Sequence, residues 1–179
     1  MTEKEDYAIV LDYLPNGYPL GGRMTPIVQA IGEKTLALLE LIPRRGVDLK
    51  VNEKVYIGPE KRDKIYYIAG RLEYNKITET AKIQLHEFID KLVAEQEKKF
   101  IDFFNNAPAI NTRLHQIELL PGFGKKHMKE ILAEREKKPF DSFEDIKSRV
   151  SSLPDPKKAI EKRILEELLE KQRYNLFVR

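Results

Sequence analysis

The chain has 179 residues, 41% hydrophobic and 34% charged, which is enough for one large or two small globular domains. Its net charge of +3 is too small to diagnose nucleic-acid binding, but the charge is uneven. Residues 1–97 carry 14 basic and 16 acidic side chains, whereas residues 98–179 carry 18 and 13. The absence of cysteine excludes disulfides and thiol-ligated metal clusters. A polar, acidic start and the lack of a long apolar run predict a cytoplasmic protein without a secretory signal or membrane span.

Short strand-like segments fill residues 1–75. Tyr7–Leu14 is aromatic and β-branched and predicts a first strand, while residues 27–31 are too short to assign. Residues 34–43 suit a strand or a helix, and Val55, Tyr56 and Ile57 form a strand candidate before Gly58. Residues 65–74 alternate apolar and polar side chains. Several short strands between Gly and Pro turns indicate a small barrel, for which an OB-like barrel is one candidate.

The first two strand segments are separated by a long loop, residues 16–26, that contains Asn16-Gly17 and Gly21-Gly22. A loop of this length in a small domain is often functional. A plain connection without a role is the alternative, and the sequence does not decide between the two.

Two basic turns interrupt the strands, and their cations are candidate nucleic-acid contacts: Arg44, Arg45, Lys61, Arg62 and Lys64. Exposed tyrosines beside such turns suit single-stranded nucleic acid, because bases stack on aromatic rings next to positive charge. The alternative is that these tyrosines are structural and pack in the core or across neighbouring strands. We favour packing for most of the four tyrosines in these segments, which are Tyr56, Tyr66, Tyr67 and Tyr74.

The hydrophobic period becomes helical from Thr78, a predicted N-cap. The apolar stripe runs to residues 105–106 as one long helix or two, and residues 76–111 are predicted to bridge two domains. Ser142 with Asp145 predicts a capped helix to residue 150, and Asp155 followed by a proline predicts a last helix to about residue 172. The apolar, β-prone tail 174–179 is predicted to dock on the β-domain, with an edge strand as one form.

Residues 119–126, Leu-Leu-Pro-Gly-Phe-Gly-Lys-Lys, form a short turn between two apolar patterns of helical spacing. Gly122 tolerates a positive φ, and Gly124 lies where the second helix begins, so that the first N–H groups of this helix stay open. These groups are the positive end of the helix dipole. We therefore predict a phosphate site formed by Gly122, Phe123, Gly124, Lys125, Lys126 and Lys129. A purely structural turn with solvated lysines and a protein-docking turn are the alternatives.

The turn, with Ile131 and Arg135 downstream, resembles a helix-hairpin-helix motif, an element that binds nucleic acid without sequence specificity. More of the chain resembles an uncharacterised archaeal family predicted to bind RNA. The segments that carry this resemblance are residues 6–17, 29–33, 55–58, 61–65 and 112–115 with the Leu-Pro-Gly turn. The resemblance implies an OB-like β-domain joined to a helical domain, residues 112–173, that contains the hairpin. The preference for RNA over DNA rests on it alone.

The predicted fold class is α+β, with a small N-terminal OB-like β-barrel followed by an all-α domain containing the helix-hairpin-helix motif. No catalytic residue, cofactor or metal is predicted, because the three histidines share no metal spacing and no nucleotide-binding or hydrolase motif occurs. We expect a non-enzymatic protein that binds RNA or DNA without sequence specificity. An adaptor with protein partners in a translation or nucleic-acid-processing assembly, and a cryptic nuclease or glycosylase, are the alternatives.

Overall fold

The structure is a computed structural model that describes residues 4–20 and 24–179. Gly21 and Gly22 of the long loop, whose role the sequence leaves open, lie outside the described residues. Five strands precede five α-helices, so the α+β class is confirmed. The strands are β1 (Tyr7–Leu14), β2 (Ile27–Gly32), β3 (Leu38–Pro43), β4 (Lys54–Tyr56) and β5 (Ile65–Arg71). The helices are α1 (Glu79–Glu95), α2 (Glu97–Asn106), α3 (Lys125–Lys137), α4 (Phe143–Arg149) and α5 (Pro156–Leu169), with short 3-10 helices at Tyr74–Lys76 and Gln116–Leu119.

All strand pairs in the single sheet are antiparallel, and the strand order is β4-β1-β2-β3-β5. One face of the sheet buries alternate apolar residues, because successive side chains of a strand point to opposite faces. The core on this face consists mainly of Ala8, Val10, Val28, Ala30, Leu39, Leu41, Val55, Ile57 and Ile65. The short segment 27–31 lies within β2, and the ambiguous segment 34–43 forms a strand only from Leu38 onwards, as β3.

The chain divides into two compact units, each described separately below. Unit 1 comprises the residues up to Phe88 together with Glu167–Arg179, and unit 2 comprises Ile89–Glu166. Both boundaries between the units fall within helices, one in α1 and the other in α5. The domain limits predicted from the sequence stay predictions.

A buried polar cluster in unit 1 joins the sheet to the segment that leads into α1. Gln29 is fully buried, and its Nε2 donates to the Tyr18 hydroxyl at 3.2 Å, while its Oε1 accepts from the Thr78 N–H at 2.9 Å. The Tyr18 hydroxyl in turn donates to Glu40 Oε1 at 2.6 Å. Burial, with the Glu40 carboxylate beside it, raises the pKa of Tyr18 to about 12. Both polar atoms of the buried Gln29 side chain thus have partners, as burial requires.

The predicted helix caps are confirmed at three positions. Thr78 Oγ1 accepts from the Ala81 N–H at 3.0 Å, and Ser142 Oγ accepts from the Asp145 N–H at 3.0 Å. Asp155 Oδ1 accepts from the Lys157 N–H at 3.0 Å at the start of α5. A side-chain oxygen takes one of the open N–H groups of each helix, which is why these residue types predicted the helix starts correctly.

The apolar pattern of helical spacing upstream of the turn corresponds to a 3-10 helix, Gln116–Leu119, rather than to an α-helix. His115 is held in extended conformation by a bridge to Ala109, so that no helix can extend upstream of it. The His115 Nδ1 accepts from the Ile117 N–H at 3.1 Å, and the Glu118 carboxylate accepts from the His115 N–H at 2.7 Å. The apolar spacing therefore marked buried positions of a tight turn rather than of an α-helix.

The tail also differs from the edge-strand form considered above. Residues 170–179 are all described, and they form no strand. The buried Glu167 carboxylate accepts hydrogen bonds from the N–H groups of Leu176, Phe177 and Val178 at 2.8 to 2.9 Å. These are the groups that a strand would use for pairing. Further along, the Arg179 N–H donates to the Thr35 carbonyl at 2.8 Å.

Candidate functional site

The turn before α3 is fixed by one glycine and one buried ring. Gly122 has a φ of +83°, a conformation that disfavours any residue with a Cβ. Phe123 follows with its ring 5% exposed, at 6.2 Å from the Phe104 ring and 5.9 Å from the His127 ring. Phe123 thus contributes to the predicted site by anchoring the turn in the core of unit 2, while its neighbours on both sides stay exposed.

The start of α3 presents open backbone donors. Gly124 is the N-cap, and its own N–H points to His127 Nδ1 at 3.4 Å. Among the described residues, the N–H groups of Lys125, Lys126 and His127 have no acceptor, as expected for the first turn of a helix. No acidic side chain lies in this first turn. The turn therefore combines open donors, the positive end of the helix dipole and a first helical turn without acidic residues.

The three predicted lysines are not equivalent. The Lys125 ammonium lies 2.9 Å from Glu118 Oε1 and 2.5 Å from the Arg113 carbonyl oxygen. The hydrogen bond from Lys125 holds the pKa of Glu118 below its usual range, so the charge of this lysine is paired at neutral pH. Lys126 and Lys129 are exposed, and no ion pair within the described chain engages them. The available positive charge at the turn thus comes from Lys126 and Lys129.

A second candidate surface belongs to unit 1. It is an open groove of about 710 Å³, here named the tyrosine groove, at the end of the sheet where β2 and β5 begin and β3 ends. Antiparallel pairing brings these three strand ends together. The groove is lined by Met24, Thr25, Pro26, Ile42, Pro43, Arg44, Arg45, Tyr66 and Tyr67.

The tyrosines of this groove are largely exposed, 61% for Tyr66 and 47% for Tyr67, so these two are not core residues. Tyr56 and Tyr74 are half-buried, in keeping with a packing role. Two consecutive tyrosines in a strand contradict simple alternation of buried and exposed positions. This is the signal by which sequence analysis would have found the pair.

The predicted cations of the two basic turns occupy different settings. Arg44 Nε donates to the Arg62 carbonyl at 2.7 Å, and Arg62 Nε donates to the Gly58 carbonyl at 2.8 Å. Lys64 is paired with Glu53 at 2.5 Å, which lowers the pKa of that carboxyl group. Of the five cations, the structure brings two, Arg44 and Arg45, to the tyrosine groove. The remaining predicted cation, Lys61, is exposed and does not line the groove.

Within residues 4–20 and 24–179, no group of three histidine, aspartate or glutamate side chains is arranged to hold a metal ion. No helix in the same residues is both long enough and apolar enough to cross a membrane.

Comparison with known proteins assigns the family. A family model described as "Protein of unknown function (DUF655)" matches residues 4–179. The chain belongs to the DUF655 family. It is 46% identical over 177 residues to "Uncharacterized protein MJ0038" of Methanocaldococcus jannaschii, and the match covers 98% of this chain and 80% of that protein. The expected membership of an uncharacterised archaeal family is therefore confirmed.

A solved DUF655 structure has the same overall fold. The crystal structure of Af1531 from Archaeoglobus fulgidus superimposes with a TM-score of 0.85 at 44% sequence identity, covering 98% of this chain and all of that one. The α+β architecture is thus shared by these two chains. The finer description of the DUF655 chain, an OB-like barrel and a helix-hairpin-helix motif, belongs to the proposal that follows.

Proposed function

We propose that this DUF655 protein binds nucleic acid without sequence specificity, RNA in preference to DNA, by holding a backbone phosphate at the turn before α3. One observation carries the proposal. Three open N–H groups at the start of a thirteen-residue helix lie beside two exposed, unpaired lysines, Lys126 and Lys129, with no acidic residue in the first turn. Oriented N–H groups and a helix N-terminus are a common phosphate-binding arrangement.

The resemblance of residues 119–126 to a helix-hairpin-helix motif supports the same function. In this interpretation the 3-10 turn Gln116–Leu119 takes the place of the first helix, and α3 is the second. Gly122 turns the chain so that Gly124 and the lysines face solvent while Phe123 faces inward. Phosphate contacts of this kind position a protein on a strand but carry no sequence information, which is why we propose non-specific binding.

The sheet of unit 1 supports an OB-like barrel. Its order, β4-β1-β2-β3-β5, leaves β4 and β5 as the two edges, and pairing these edges would close a five-stranded barrel. OB folds commonly bind oligonucleotides. The preference for RNA rests on the family resemblance described above.

The decisive experiment places a carboxylate at the open N–H groups. Gly124→Asp should cap α3 and keep the protein folded, while the carboxylate competes for the N–H groups and repels phosphate. Gly124→Asn is the matched control, since it caps the helix without a charge. We expect Gly124→Asp to weaken binding of a fluorescein-labelled single-stranded RNA about tenfold relative to Gly124→Asn, equivalent to about 1.4 kcal/mol.

The dependence of affinity on salt tests the lysines. Lys126→Ala and Lys129→Ala should each remove one counterion-linked phosphate contact. The slope of log affinity against log salt concentration should therefore become shallower by up to about 1 for each variant. Lys162 is exposed and makes no ion pair within the described residues, so Lys162→Ala serves as the control. A folded Gly124→Asp protein that binds with the affinity and salt slope of the wild type would show that the turn is only structural. The adaptor function, which predicts protein binding without this slope, would then lead.

A further inference from the structure

The tyrosine groove owes its exposed aromatic pair to an irregularity in β5. Ile42 of β3 pairs with Tyr67 of β5, but the next residue of β3, Pro43, pairs with Ile65. Tyr66 is therefore an extra residue, a β-bulge, opposite the end of β3. Bulges re-aim side chains and are enriched at sheet edges and next to functional sites.

The bulge places two consecutive rings side by side. In a regular strand Tyr66 and Tyr67 would point to opposite faces of the sheet. Here their ring centroids lie 5.4 Å apart with an angle of 73° between the planes. Exposing two large rings costs apolar burial, and the sheet gains no core packing from them. The arrangement is therefore better explained by a ligand that the rings contact.

The charge of the groove selects the class of ligand. Arg44 and Arg45 line it, and none of its described lining residues is acidic. The Arg44 guanidinium lies 5.9 Å from the centre of the Tyr66 ring, and its Nε donates to the Arg62 carbonyl. Its terminal nitrogens have no hydrogen-bond partner among the described residues and can bind an anion. Aromatic faces combined with arginines suit a strand that has both flat bases and phosphates.

We propose that the tyrosine groove binds an unpaired stretch of a nucleic-acid strand, with bases stacked on Tyr66 and Tyr67 and with phosphates bound by Arg44 and Arg45. The proposal rests on the nucleic-acid-binding function above and specifies its substrate as single-stranded. A duplex does not fit this role, because its bases are covered by their neighbours in the stack and two rings at 73° cannot both lie parallel to them.

The first test is photo-crosslinking of the wild-type protein, which needs no mutation. A single-stranded oligouridine of about 12 nucleotides carrying one 4-thiouridine is bound, irradiated and digested with trypsin. Cleavage after Lys64 and Arg71 releases Ile65–Arg71, which contains Tyr66 and Tyr67 and no other tyrosine. We expect a crosslink on this peptide. Efficient crosslinking confined to other peptides would overturn the proposal.

The second test compares affinities by fluorescence anisotropy. The double variant Tyr66→Ala with Tyr67→Ala should lose at least about tenfold in affinity for the single strand, and less than about twofold for a duplex of the same length. The matched control, Tyr66→Phe with Tyr67→Phe, keeps both rings and should bind as the wild type does. If the alanine variant does not fold, Arg45→Ala replaces it, with an expected loss of affinity and a shallower salt slope.

The outcomes separate this proposal from the proposed function. If the wild type binds no nucleic acid at low salt, both fail. If Lys126→Ala and Gly124→Asp weaken binding while the tyrosine variant binds the single strand as the wild type does, only the tyrosine groove proposal fails. If polyglutamate displaces the oligouridine from the groove as well as unlabelled oligouridine does, the groove recognises charge alone, and an acidic protein partner replaces the single strand.

Discussion

The turn before α3 contains two glycines, Gly122 and Gly124, which differ in whether their positions can accept a side chain. Gly122 has a φ of +83°, and a Cβ there would lie 3.1 Å from Pro154 Cγ. Gly124 has an extended backbone with a φ of −106°, and a Cβ there would meet nothing within 4 Å. Gly122 is therefore required for the fold of the turn, whereas Gly124 is free to be substituted for tests of function.

We expect Gly122→Ala to lower the melting temperature by several degrees. A left-handed conformation costs a residue with a Cβ roughly 1–2 kcal/mol, and the contact with Pro154 adds to this. Gly124→Asn should melt at or above the wild-type temperature, because Asn is a better N-cap and meets no clash. Thermal unfolding followed by circular dichroism compares the two. Equal melting temperatures for Gly122→Ala and the wild type would contradict the argument.

Among the elements, the 3-10 turn Gln116–Leu119 depends on the protonation state of one side chain. His115 is 6% exposed, and its Nδ1 must be unprotonated to accept from the Ile117 N–H. Burial, with the nearby positive charge of Arg135, lowers the pKa of His115, although the Glu118 carboxylate acts in the opposite direction. The folded protein thus favours the neutral imidazole.

This pKa shift predicts how stability depends on pH. Because the folded pKa of His115 lies below the unfolded value of about 6.5, its contribution to stability is complete above that value. The contribution is lost as the pH falls from about 6.5 towards the folded pKa. When the pH is lowered from 7.5 to about 5, the melting temperature of the wild type should fall further than that of His115→Asn. The Asn amide oxygen can accept the same hydrogen bond but does not titrate. Parallel losses in the two proteins would show that His115 does not control the turn.

The sequence predicted the elements whose signals are local. A few adjacent residues are enough to predict each of these elements: β1, the turn before α3, and the helix caps at Thr78, Ser142 and Asp155. It did not predict the bulge at Tyr66, because the bulge depends on the register between β5 and the distant β3. Likewise, the pairing of Lys125 with Glu118 depends on the path of the chain between them, so equal roles were predicted for the three lysines.

At the scale of the whole molecule, unit 1 is built from two distant parts of the chain. The tail segment is held within this unit by Glu167, by the hydrogen bond from Arg179 to Thr35, and by Arg71, whose guanidinium donates to the Arg179 carbonyl at 3.0 Å. Val178 is 7% exposed. Three N–H groups on one buried carboxylate form charge-assisted hydrogen bonds, which are stronger than neutral ones.

Deletion of residues 174–179 is therefore expected to lower the melting temperature. The substitution Glu167→Gln should act in the same direction, since hydrogen bonds to a charged group contribute roughly 1.5–3 kcal/mol and the amide has only one acceptor oxygen. Glu170→Gln, at an exposed position three residues away, is the control. A truncated protein that melts at the wild-type temperature would mean that the tail does not stabilise unit 1.

Because unit 1 is made of two separate parts of the chain, its two parts are synthesised at different times. Residues 89–166 are synthesised as one continuous stretch and already contain all of unit 2. The sheet leaves the ribosome earlier, but the Thr35 carbonyl and the Arg71 guanidinium meet their partner Arg179 only after all of those residues have been made. Unit 1 is thus begun before unit 2 and completed after it. A nascent chain that ends at Glu166 would contain every residue of unit 2, whereas its sheet would still lack the tail segment that Glu167 holds.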